Sequence, residues 1–153
     1  MTMAEYVSVQ NPQTVAVDQN VLFVDTIPCN KGYVVHRNGS GILTLRGITN
    51  GCARFARYQV TFNGNIAIPT GGTVGAIATA LALDGEELQS SRAIVTPAAV
   101  EQYFNVTNTA IITVPAGCCA TVAVENVNAG VGEDIAQGAI SVADGNLTVT
   151  RIA

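Results

Sequence analysis

The sequence predicts an all-β protein of about ten short antiparallel strands, folded as a sandwich or barrel. Three observations carry this prediction. Apolar segments are short and end in turn signals, among them Asn38-Gly39-Ser40-Gly41, Asp84-Gly85, Pro115-Ala116-Gly117 and Asp144-Gly145-Asn146. Alternation with period two is clear in RYQVTF, where Tyr58, Val60 and Phe62 fall on one face and Arg57, Gln59 and Thr61 on the other. No capped amphipathic helix of useful length is present, and only Pro97 to Phe104 has room for a helical turn.

Taken in order, residues 1–13 are weakly patterned and read as a partly extended N-terminal arm, and residues 14–153 as one domain. Val15 to Val24 is a strand interrupted at Asp18-Gln19-Asn20. Tyr33 to Arg37 and Ile42 to Ile48 form a hairpin. After the Tyr58 strand, the run TVGAIATALAL between Gly72 and Asp84-Gly85 poses a choice, because alanine is the best helix former. A helix there lacks a polar stripe, since Thr79 is the only polar side chain between Val74 and Leu83. As a strand it has a small, smooth face of Val74, Ala76, Ala78, Ala80 and Ala82 and a bulkier face of Ile77, Thr79, Leu81 and Leu83. A strand apolar on both faces fits a core on one side and a second subunit on the other. The segments 86–97, 99–117 and 118–130 follow as strands closed by turns, with Cys118 in phase with Ala120, Val122 and Val124 as a small buried hydrophobe. Asp144-Gly145-Asn146 then turns the chain into a terminal strand, Leu147 to Ile152.

Charged residues make up 12% of the chain and hydrophobic ones 48%, so the chain folds and has little polar surface to spare, which favours oligomerisation. A net charge of −4 with seven scattered Lys and Arg residues supplies no basic stripe, which argues against nucleic acid as a partner. No apolar stretch approaches the length of a membrane-spanning helix, and the start MTMAEYVSVQNPQ has no signal-peptide pattern, so a membrane is not expected as a partner.

From about Gly32 onward the order of motifs resembles the tumour necrosis factor-like and complement-like globular head, with the bacterial and phage versions the closer match. The pattern is a Y-x-V-x-F strand at Tyr58, Val60 and Phe62, an A-L-x-x-D-G-like element at Leu81 to Gly85, V-P-A-G at Val114 to Gly117, and a closing strand at Leu147 to Ile152. The resemblance covers roughly three quarters of the chain and rests on the order of motifs that are individually weak. It implies a ten-stranded jelly roll assembled as a homotrimer. Subunit-interface candidates are then Val74, Ala76, Ala78, Ala80, Tyr103 and Phe104. No collagen-like stalk precedes the domain, which turns the expectation from a stalked or spore-surface adhesin toward a phage capsid decoration protein on the virion surface. The major capsid protein or another particle surface is the expected partner, with Tyr6, Val7 and Val9 as candidates for shell contact by the arm. The alternative is a receptor- or glycan-binding head of a tail fibre or cell-surface protein, with cell-surface glycan bound by loops such as Asn38 to Gly41 or 129–133.

Catalytic chemistry finds little material. His36 is the only histidine and has no carboxylate close in sequence, so no catalytic residues are assigned. Cys29, His36 and Cys52 match no known metal-ligand spacing, and Asp84, Glu86 and Glu87 read as a solvated turn rather than a calcium site, so no metal or cofactor is expected. Cys29 and Cys52 bracket the hairpin, although a chain made in a reducing cytosol rarely keeps a disulfide. Glu133-Asp134 is treated as solvated, and the sequons at Asn38, Asn105 and Asn146 as chance.

Overall fold

A computed structural model describes residues 3–9, 12–27, 32–127 and 138–153, with side chains for 12–24, 32–127 and 138–153. Twelve strands are found among them: β1 (Met3–Val9), β2 (Gln13–Val15), β3 (Asp25–Ile27), β4 (Val34–His36), β5 (Leu43–Arg46), β6 (Phe55–Ala67), β7 (Ile77–Leu83), β8 (Glu86–Glu87), β9 (Ala93–Val95), β10 (Phe104–Pro115), β11 (Cys119–Val127) and β12 (Ile140–Arg151). They form two antiparallel sheets of six strands. The first runs β10-β6-β12-β1-β3 with β2 also on β12, and the second runs β4-β5-β11-β7-β8 with β9 also on β7. This is the all-β sandwich expected, and the short β2, β8 and β9 bring the count above ten.

The long strands follow from strict alternation. In β6, Ala56, Tyr58, Val60 and Phe62 are fully buried while Phe55, Arg57 and Gln59 are exposed, so every second side chain reaches the core. From the facing sheet come Leu43, Leu45, Leu81, Val122 and Val124, each at most 1% exposed. Phe23 meets Phe62 edge to face, with centroids 6.2 Å apart. The chain reaches the second sheet at Asp18, which has a φ of 62°. Before it β2 pairs with β12, and after it Val21 donates its N–H to the Val124 carbonyl at 2.8 Å. The polar interruption in the Val15–Val24 segment is thus the point where the chain changes layers.

Three expectations are corrected. Asp144-Gly145 does not turn the chain: β12 continues from Ile140 to Arg151, and the register against β6 slips between Ala143 and Asn146 as a bulge. A Cβ on Gly64, across this bulge, would lie 2.7 Å from the Phe62 ring and 3.3 Å from the Gly145 Cα, so the close approach requires glycine. Among the described residues the one helical turn is a 3-10 turn at Gln89–Ser91, not Pro97 to Phe104. Cys118 is exposed because β11 begins one residue later; its N–H closes a turn on the Pro115 carbonyl at 3.0 Å. The expected tight turn at Asp84-Gly85 is present, with φ of 52° and 86°, and joins β7 to β8.

Two polar groups of side chains tie the fold together. Buried Asn108 on β10 donates to the carbonyls of Thr79 and Ser91 at 2.9 and 2.6 Å and accepts from the Thr79 hydroxyl at 2.9 Å, linking the two sheets and the 3-10 turn. Tyr58, fully buried, directs its hydroxyl to the Arg46 carbonyl at 2.5 Å, and the Arg151 guanidinium lies 4.4 Å over the Tyr33 ring beside it. Burial pushes the Tyr58 phenol above its ordinary range, and the Arg151 charge acts in the opposite direction.

Asn108→Leu removes the partner of the Thr79 hydroxyl and of the Ser91 carbonyl while nearly keeping the volume. At about 1–3 kcal/mol per stranded buried group, the expected loss in urea unfolding is about 3 kcal/mol at unchanged slope. A loss below about 0.5 kcal/mol would contradict the linking role of Asn108.

A candidate assembly surface

β7 answers the choice posed by its sequence in favour of a strand, and it is covered on both faces within one chain. Ile77 and Leu81 lie in the main core, whereas Ala78 and Ala80, both 0% exposed, form a separate small cluster with Val127 and the partly buried Ala76. Ala78 and Ala80 therefore offer no surface to a second subunit in this chain's conformation. Val74, just before the strand, is 49% exposed, and Tyr103 and Phe104 are each 38% exposed at the start of β10. The Tyr103 hydroxyl is 2.9 Å from that of Ser141. Of the six candidates, Val74, Tyr103 and Phe104 are thus exposed, Ala76 is partly buried, and Ala78 and Ala80 are enclosed.

The arm expectation also changes. Residues 3–9 are extended, but β1 lies between two strands of its own chain, with Tyr6 opposite Thr148 and Ile27, Val7 opposite Leu147 and Thr26, and Val9 opposite Gly145. One edge of this segment is paired along Met3–Val9 and the other at Tyr6, Val7 and Ser8, so at those three residues it adds to another sheet only after leaving its own.

The surface that alternation builds instead is the outer face of the first sheet. β6 contributes Phe55, Arg57, Gln59, Thr61, Asn63 and Asn65, and the edge strand β10 contributes Asn105, Thr107, Thr109, Ile111 and Thr113. Arg57 is the only charged residue in these two rows. Side chains bond across the strands: Thr61 to Thr109 at 3.1 Å, and Asn105 to Asn63 at 2.9 Å and to Asn65 at 3.3 Å. Ile111, 64% exposed, is the most exposed large hydrophobic residue described. The sequence carried a signal for it, since Ile111 falls in the polar phase of FNVTNTAIITV, where alternation asks for a Thr or Asn.

The remaining candidates have local roles. The His36 Nε2 is 2.9 Å from the Ser40 carbonyl, fastening the hairpin turn, and the ring meets Phe23 edge to face. The Asp84 carboxylate accepts the Thr121 N–H at 2.9 Å, and Glu87 pairs with Arg92. Cys52, Cys118 and Cys119 are exposed free thiols, while Cys29, Glu133 and Asp134 lie outside the described residues.

On the outer face of the other sheet a groove of about 180 Å³ is lined by Asp18, Asn20, Ile42, Ala82, Gly85, Thr121, Ala123 and Glu125. Partial burial pushes the Glu125 carboxyl above its ordinary range, and the negative charges of Asp18 and Glu87 add to the effect.

No protein-family model and no curated protein matches the sequence. Solved structures do match the architecture. The globular domain of zebrafish complement 1qA superposes with a TM-score of 0.59 at 14% identity, covering 99% of this chain and 97% of that one. The fold is the tumour necrosis factor-like, complement-like jelly roll. Murine APRIL matches at TM-score 0.64 and 10% identity, covering 99% of this chain and 100% of that one. The Eiger TNF of S. frugiperda matches at 0.63 and 12%, covering 99% and 93%. In this jelly roll the coverage extends beyond the three quarters read from sequence motifs to nearly the whole chain.

Glu125→Gln removes a carboxylate that the fold holds in an unfavourable setting. A raised folded pKa means that the folded state binds the extra proton, so the relative stability is present below the ordinary glutamate pKa of 4.5 and is lost as pH rises through the folded pKa. The variant is expected to melt higher than the parent at pH 7 and to match it below about pH 4. A variant that melts lower at pH 7 would contradict this.

Proposed function

We propose that the chain is a non-enzymatic structural protein, a jelly-roll head that assembles as a homotrimer and decorates the capsid surface of a phage virion. The observation that carries the assembly is the outer face of β6 and β10. It is almost uncharged and carries an exposed isoleucine, Ile111, whereas interfaces between subunits characteristically exclude charge from their centre. The jelly-roll fold and the sparse charge of the chain support the same reading. Its one histidine is engaged in a turn, which supports a structural rather than a catalytic role. Tyr103 and Phe104 stand partly exposed at one end of the same edge strand, with Phe104 in the phase opposite to Ile111. Particle attachment is supported only by the resemblance of the Tyr58–Phe62, Leu81–Gly85 and Val114–Gly117 motifs to phage-type heads.

Light scattering behind a sizing column is expected to give a single species near three times 15.8 kDa for the parent chain. Ile111→Asp places a charge within the proposed interface and is expected to yield a folded species near 15.8 kDa. A monomeric parent, or a variant that stays trimeric, would overturn the assembly reading. Quantitative mass spectrometry of purified virions is expected to find the chain in multiples of three per capsid position, and its absence from particles would overturn the decoration role.

A further inference from the structure

The alanine face of β7 continues past the enclosed Ala78 and Ala80 to Ala82, which lies opposite Ala123 of β11. Together they form the floor of the groove on the second sheet, at 3% and 6% exposure. Ile42, 47% exposed, adds an apolar wall, and Gly85 and Thr121 leave the space over the floor open. Asp18 and Glu125 stand over the same floor, and neither is in an ion pair among the described residues, where the one ion pair joins Arg92 to Glu87. A volume of about 180 Å³ is well below the roughly 300–1,000 Å³ of small-molecule pockets, and suits a single side chain.

We propose that this groove receives a lysine or arginine side chain of a partner protein. The aliphatic stem lies along Ala82, Ala123 and Ile42, and the cationic head meets Asp18 and Glu125. An uncharged apolar side chain would leave the two carboxylates facing each other without compensation. The negative net charge of the chain steers a basic partner toward it. The groove is on the sheet opposite the Ile111 face, so this contact stands whether or not copies of the chain meet as proposed above.

The test is a titration of the full chain, followed by amide NMR, with Nα-acetyl-lysine methylamide and its uncharged counterpart Nα-acetyl-norleucine methylamide. The lysine compound is expected to shift the Gly85, Thr121, Ala123 and Glu125 signals saturably in the millimolar range, and norleucine to leave them unmoved. Glu125→Gln, which keeps the fold, is expected to weaken the response about tenfold, in line with loss of one hydrogen bond to a charged group. The response is also expected to fade as pH drops through the Glu125 titration, where Asp18 and Glu87, the latter paired with Arg92, are the charged groups facing it. Equal shifts with norleucine, a response unchanged in Glu125→Gln, no saturable shift at pH 7, or saturation by calcium ions with the lysine compound silent would each overturn the proposal.

Discussion

The structure depends first on β12 being laid down in the middle of the first sheet. This strand pairs with β6 over nine residues, with β1 over seven and with β2 over three, so both ends of the chain are held by one strand. Its side chains Ile140, Val142, Leu147 and Val149 are fully buried, and the bulge at Asp144-Gly145 shifts its register against β6 next to Gly64. Contacts of this kind join residues far apart in sequence, so loop closure must be paid before they stabilise anything. Folding of the first sheet is therefore tied to the last residues of the chain, and the N-terminal strand has its place only once β12 is present.

The second sheet is governed by a different constraint, the small size of the alanines of β7. Side chains of this size let the strand be enclosed at Ala78 and Ala80 and remain the low floor of a groove at Ala82. Larger residues on that face would fill the groove and press on the cluster with Val127. The two outer faces of the sandwich thus differ in chemistry. One is a plane of Thr and Asn with an isoleucine in it, and the other is a furrow rimmed by carboxylates.

Most of the fold was legible in the sequence because alternation and turn residues are local signals. Tyr58, Val60 and Phe62, the 38–41 hairpin and Asp84-Gly85 all sit where their pattern places them. The misreadings share a cause: the same residues serve two geometries. Asp144-Gly145 is as good for a bulge as for a turn, and only pairing with β6 decides between them. Two apolar faces on β7 could not reveal whether the second cover came from another subunit or from the same chain. Residues 3–9 carry no strong pattern, and their strand is set by neighbours at 145–151. The groove was invisible because Asp18, Glu125 and Ala82 are distant in sequence, whereas Ile111 announced itself by breaking the polar phase of β10.

In the proposed assembly, copies of this chain meet across β10 and β6. As the edge of its sheet, β10 turns every second amide away from β6, and those amides have no ladder partner on the open side. Residue-resolved hydrogen exchange on the parent chain at high and at limiting dilution measures whether that edge is open. If copies meet there, these amides slow by about tenfold or more at high concentration, with β12 protected throughout. Rapid exchange along β10 at every concentration, with β12 still protected, would contradict that assembly.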